Sequence, residues 1–121
     1  MLRDLDTSKF KAVYIVTGYT DLRNGIDGLA GIIQHQYYLE PFDANTLFLF
    51  CGRRADRIKG LLWEGDGFLL LYKRLEDGRF KWPRNASEVR AMSPQQYRWL
   101  MEGLDIRQRR YVKEVRPKKA L

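Results

Sequence analysis

The sequence predicts an α+β fold in which an antiparallel β-meander of four to five strands packs with an N-terminal amphipathic helix and a C-terminal helix. Three observations predict it. The turn signals Gly65-Asp66-Gly67 and Asp77-Gly78 punctuate the apolar and basic-aromatic runs between Thr46 and Pro83. Upstream, Leu22, Ile26, Leu29 and Ile33 recur at spacings of four, three and four. Downstream, Ser93-Pro94 opens a second helical pattern.

The elements follow in chain order. Val13-Tyr14-Ile15-Val16 is a short β-rich run and reads as a strand. Gly18-Tyr19 turns the chain, and Thr20 or Asp21 can cap a helix of about four turns. Gly25, Gly28 and Gly31 lie inside it, so they mark either a close backbone approach or a broken helix. A loop before a helix, with Arg23 one turn in, can also hold a phosphate, although most such junctions are plain turns. Pro41 ends the helical region. The meander then reads as strands over 47–50, 58–63, 68–75 and 79–82, with Asp-Gly suited to type I′ turns. Ser93 as N-cap and Pro94 at the first position start a helix whose apolar face is Tyr97, Leu100, Met101 and Leu104. Residues 1–106 are read as one globular domain and 107–121 as a basic tail, extended or partly disordered, with an edge strand possible at 111–115.

Charge distribution narrows the function. The net charge is +7 over 121 residues. Residues 46–84 hold nine Lys/Arg against five Asp/Glu, and residues 107–121 hold seven against one. Residues 1–45 are slightly acidic. Such asymmetry points to a polyanionic partner, nucleic acid first, the plain alternative being a solubilising excess. No apolar run approaches the roughly 20 residues of a membrane span. The first ten residues lack the apolar region of a signal peptide. With the single Cys51, this makes a cytoplasmic setting the expectation.

Catalytic inventory is thin. His35 and Cys51 have no ligand partners at useful spacing, so no metal or other cofactor is expected. Cys51 reads as a small core residue and His35 as a helix-surface residue. Asp21, Asp27, Asp56, Glu64 and Asp66 are the acids that a two-metal phosphoryl-transfer site would have to draw on, but a cap, turns and ion pairs account for them. No catalytic residue is assigned.

Nucleic-acid binding rests on more. Alternate strand residues share a face, so Arg79 and Lys81 point together, as do Arg57 and Lys59. With Arg23, Arg53, Arg54, Lys73, Arg74 and Arg84, they can present a basic sheet surface to phosphates. Trp82 or Tyr72, if exposed, can stack on an unpaired base; the alternative for Trp63, Phe68, Phe80 and Trp82 is the core. For the cations the alternative is a solvated face that resists aggregation.

Several motifs carry a family resemblance. They are Gly18, Thr20-Asp21-Leu22-Arg23, Gly25 and Asp27-Gly28-Leu29, then Arg53-Arg54, Asp56-Arg57-Ile58-Lys59, Leu61, Trp63 and Asp66-Gly67-Phe68. Lys73-Arg74-Leu75-Glu76 and Gly78-Arg79-Phe80-Lys81-Trp82-Pro83 complete the set. Over residues 13–104 the chain resembles the TnpB-type accessory proteins encoded by the second reading frame of insertion-sequence 66 elements, which are distinct from the RNA-guided nucleases sharing that name. The resemblance implies a non-catalytic accessory role in transposition, beside a larger transposase that cuts and joins DNA. It carries no agreed catalytic residues. Two positions depart from the family pattern: Gly60 replaces an aliphatic residue, which points to a bulge or close approach, and Glu64 replaces Asp.

The expected partners are therefore DNA, in particular element ends, and the transposase or other proteins of the same element. The rival readings are an adaptor whose basic surface docks an acidic protein patch without touching DNA, and a metal-dependent nuclease.

Overall fold

The computed structural model describes residues 1–107, so the possible edge strand at 111–115 and most of the basic tail lie outside the described residues. The core is a five-stranded mixed sheet in the order β4-β3-β2-β1-β5. Its strands are β1 (Ala12–Val16), β2 (Thr46–Cys51), β3 (Arg57–Trp63), β4 (Phe68–Arg74) and β5 (Val89–Ala91). Two helices accompany it: α1 (Ile26–Gly31), continued by a π-helical stretch (Ile32–Gln36), and α2 (Pro94–Met101).

The expected meander is β2-β3-β4, paired antiparallel in unbroken register from Leu47↔Leu62 to Arg57↔Arg74. Gly65 alone has positive φ in the first hairpin (+92°), with Asp66 in ordinary backbone, so the turn is not type I′. The sheet is not purely antiparallel. β1 lies parallel to β2, Ala12 opposite Thr46 and Ile15 opposite Leu49. Parallel neighbours need a long crossover, and residues 17–45 supply one that carries α1. β5 closes the other side of β1, Val16 opposite Val89.

Residues 79–82 are not a strand. Gly78 (φ +82°) turns the chain off the sheet, and Pro83 has no N–H for a ladder. The segment instead crosses the strand ends: Phe80 N–H donates to Ala55 O (2.7 Å) and the Trp82 indole donates to Val16 O (3.0 Å). The predicted alternation survives, with Phe80 and Trp82 buried and Arg79 and Lys81 exposed, but it serves an extended strap.

β2 is buried throughout because both sheet faces are covered. On one face Leu47, Leu49, Ile58, Phe80, Trp82, Tyr97 and Leu100 form a cluster under α2. On the other, Phe48, Phe50 and Leu61 meet Leu29 and Ile33 of the first helical segment. That segment starts at Ile26, not at Thr20 or Asp21; Gly25 is its N-cap and no side chain caps it. A Cβ at Gly25 would meet nothing and one at Gly31 only His35, so no foreign backbone approaches there. Gly60 does mark a close approach, without a bulge: a Cβ there would stand 3.3 Å from Leu47 Cδ1 and Leu49 Cδ2. Ser93 and Gln96 form a reciprocal capping box at α2. The helix ends at Met101, which leaves Leu104 outside it and exposed.

Cys51 is fully buried, and burial pushes its thiol up to about 11 although Arg84 pulls the other way. A thiol this far from its thiolate is a poor nucleophile. At pH 8 a thiol-specific reagent should label native protein negligibly and label it fully in denaturant. Rapid native labelling would contradict this burial.

Candidate nucleic-acid interface

The carboxyl ends of the parallel strands β1 and β2 face the same way, and ligand crevices of open sheets with parallel strands form at such ends. Here the loop after β1, the loop after β2 and the adjoining face of β3 and β4 enclose an open cleft of about 860 Å³. Its cations come from two separated stretches of chain: Arg23 after β1, and Arg53, Arg54, Arg57 and Lys59 in the loop after β2 and the start of β3. Tyr19, Leu22, Leu70 and Tyr72 supply apolar lining between them.

Local structure explains each placement. Asp21, expected as a possible helix cap, instead accepts from the Arg23 backbone N–H (3.0 Å) and holds its guanidinium by two nitrogens, Nη2 at 2.7 Å. These hydrogen bonds pull the Asp21 carboxyl down to about 2. Arg57 is fixed by Asp56 (Nε to Oδ1, 3.0 Å), and Arg54 reaches the same carboxylate at 3.7 Å. Asp56 is held below the usual carboxylate range, chiefly by the Arg57 hydrogen bond. Lys59 Nζ donates to Asn24 O (3.0 Å) and lies 5.8 Å from the Tyr72 ring centre. Arg57 and Arg74 stand opposite each other on β3 and β4, a like-charge pairing offset by a carboxylate on each, Asp56 on Arg57 and Glu76 on Arg74 (3.2 Å).

Arg84 has a different role. It donates to Gly18 O (2.7 Å) and Gly52 O (2.5 Å), and its guanidinium lies 4.3 Å from the centre of the Tyr19 ring. It therefore ties the loops after β1 and β2 together beneath the cleft. Thr20 N–H donating to Cys51 O (2.9 Å) adds to the tie. Gly52 sits where a Cβ would press on Leu22 Cγ (3.3 Å) and Thr20 O (3.4 Å).

The eleven candidate residues thus separate. Arg23, Arg53, Arg54, Arg57 and Lys59 gather in the cleft. Lys73 and Arg74 line a second depression with Arg3 and Arg98. Arg79 and Lys81 lie on the strap, on the side of residues 103–105, and do not join Arg57 and Lys59 in one sheet surface. Trp82 is only 6% exposed with its N–H satisfied, so it cannot stack on a base. Sequence reasoning missed Tyr19; an aromatic directly after a strand-ending glycine was the available signal.

The candidate acids are not brought together. Asp21 and Asp56 flank the cleft, whereas Glu64 and Asp66 occupy the β3–β4 turn, about 20 Å along the strand by its rise per residue. Among the described residues no group of three His, Cys, Asp or Glu is placed to hold a metal ion, and no helix is long and apolar enough to cross a membrane.

Fold and cleft define a small mixed-sheet α+β protein with a cation-lined crevice at its parallel strand ends. The chain belongs to the family described as IS66 Orf2 like protein, whose family model matches residues 11–111. Membership gives it a transposition-associated accessory role in insertion-sequence elements, in a family not known as catalytic. It is similar to two uncharacterized proteins of Sinorhizobium fredii (strain NBRC 101917 / NGR234). One, y4hO, is 42% identical over 95 residues, covering 78% of this chain and 82% of the relative. The other, y4jC, is 31% identical over 93 residues, covering 77% and 79%. No solved structure matches.

Proposed function

We propose that this protein is a non-catalytic accessory factor of transposition that binds DNA, in the cytoplasm, through the cleft at the ends of β1 and β2. The observation that carries this reading is the convergence of five cations, Arg23 from the loop after β1 and four from residues 53–59, on one concavity, with Asp21 and Asp56 the acids beside them among the described residues. Phosphate oxygens are the natural counter-charge for such a set. The basic sequence of residues 107–121 adds affinity of the same kind. The test is a salt series with labelled element-end DNA and a scrambled duplex. The logarithm of the binding constant should fall with log salt by about 0.9 per neutralised phosphate. Binding that ignores salt, or no binding at low salt, would remove the DNA-binding reading.

A second surface favours a protein partner as well. At the opposite end of the sheet, Phe42, Trp63 and Phe68 pack with ring centres 4.9–5.2 Å apart, yet Phe42 is 51% exposed and the neighbouring Tyr38 87%. Tyr38 also holds a positive φ of 56°, uncommon for a bulky residue. Glu40, Glu64 and Asp66 are exposed in the same two loops. That chemistry suits an apolar anchor flanked by Lys or Arg on the transposase, so the acidic side here belongs to this protein, the reverse of the adaptor expected from charge alone. Phe42→Ser should abolish nuclease-resistant capture of purified transposase and leave DNA binding intact. Undiminished capture would discard this surface.

A further inference from the structure

We propose that the cleft takes an unpaired DNA strand, a base stacking on Tyr72 while neighbouring phosphates are held by the cleft cations. This rests on the DNA-binding reading and narrows it to one form of DNA. The cations share this concavity with Tyr19, Leu22, Leu70 and Tyr72, the cation-plus-aromatic groove that single-strand binders use. Apolar lining gives nothing to a phosphate but is what a base needs. The volume, about 860 Å³, falls in the range of small-molecule pockets and admits a nucleotide with its flanking phosphates.

The two rings are unusual for exposed aromatics. Tyr72 is 55% and Tyr19 62% exposed, and each already carries a cation, Lys59 Nζ 5.8 Å from the Tyr72 centre and the Arg84 guanidinium 4.3 Å from the Tyr19 centre. These contacts hold the rings without burying them. A base stacked on Tyr72 removes that ring from water and extends the cation–ring contact into a three-layer stack. Placement fits the anion as well: Tyr72 stands directly opposite Lys59 on β3, two residues along that strand from Arg57 and so on the same sheet face. A phosphodiester beside the base would lie within reach of Lys59 and Arg57, both of which line the cleft.

The test uses the full chain and three fluorescent probes: a twelve-nucleotide thymidine strand, a duplex of equal length and a duplex with a four-nucleotide overhang. Anisotropy titrations at fixed salt should give affinity for the strand and the overhang at least about tenfold above that for the blunt duplex. Tyr72→Ala should lose roughly tenfold on the strand and little on the duplex, and Tyr72→Phe, which keeps the ring, should retain the preference. Tyr72 is a surface side chain, and thermal melting of each variant confirms an intact fold. Equal affinity for strand and duplex, or a Tyr72→Ala loss of the same size on both, would overturn the proposal while leaving DNA binding in place. Failure of every probe to bind at low salt would overturn the DNA-binding reading and this proposal with it.

Discussion

Trp82→Ala is expected to destabilise the protein by about 3–5 kcal/mol, the range for removing a large buried aromatic. Trp82 sits in the cluster with Val13, Ile15, Phe80 and Tyr97, and its indole N–H satisfies Val16 O at the end of β1. Truncation leaves a cavity and an unpaired carbonyl together. Since domains of this size are stable by only about 5–15 kcal/mol, the variant should melt far below the parent or fail to fold. Arg79→Ala and Lys81→Ala, exposed on the same strap, should each change stability by no more than about 0.5 kcal/mol. Chemical denaturation of the three variants checks the contrast. A stable Trp82→Ala protein that has lost DNA binding would return Trp82 to the interface and contradict its core role.

Arg84→Ala has the second largest expected effect. Its guanidinium holds Gly18 O and Gly52 O and packs on Tyr19, so one side chain sets the spacing of two loops. Hydrogen bonds from a charged donor contribute about 1.5–3 kcal/mol each, so a loss of about 2–4 kcal/mol is expected after relaxation. Arg84→Lys should recover little, because a single ammonium cannot span two carbonyls and stack on a ring. DNA affinity should fall in both variants even at temperatures where they stay folded, since the loops carrying Arg23, Arg53 and Arg54 lose their registration. Denaturation curves combined with binding at low temperature separate the two effects. Full rescue by Lys would show that only the charge of Arg84 matters.

Much of this fold is legible in the sequence, and the rest is hidden for identifiable reasons. Strands β2 to β4 are readable because glycine turns and apolar runs are local signals. The parallel placement of β1 is not, because it depends on where the crossover through α1 lands. The strap at 79–82 has true strand alternation, and only its contacts with Ala55 and Val16 distinguish it from a strand. β5, at three residues, is too short for any periodicity. For the site, Arg53, Arg54, Arg57 and Lys59 stand out as a charge cluster within seven residues. Tyr19 and Leu22 join them only through the β1–β2 pairing. The tying role of Arg84 is invisible in one dimension, since its targets are carbonyls more than 30 residues away.

The most direct test of the cleft as the DNA site compares two variants of equal charge change, Arg53→Ala/Arg54→Ala and Arg79→Ala/Lys81→Ala, in a salt-dependent DNA titration. All four side chains are exposed, so both proteins should fold. The cleft variant should bind at least about tenfold more weakly, with its salt slope reduced by about two, and the strap variant should stay close to the parent. Equal losses in both would mean that net charge, and not the cleft, governs DNA binding.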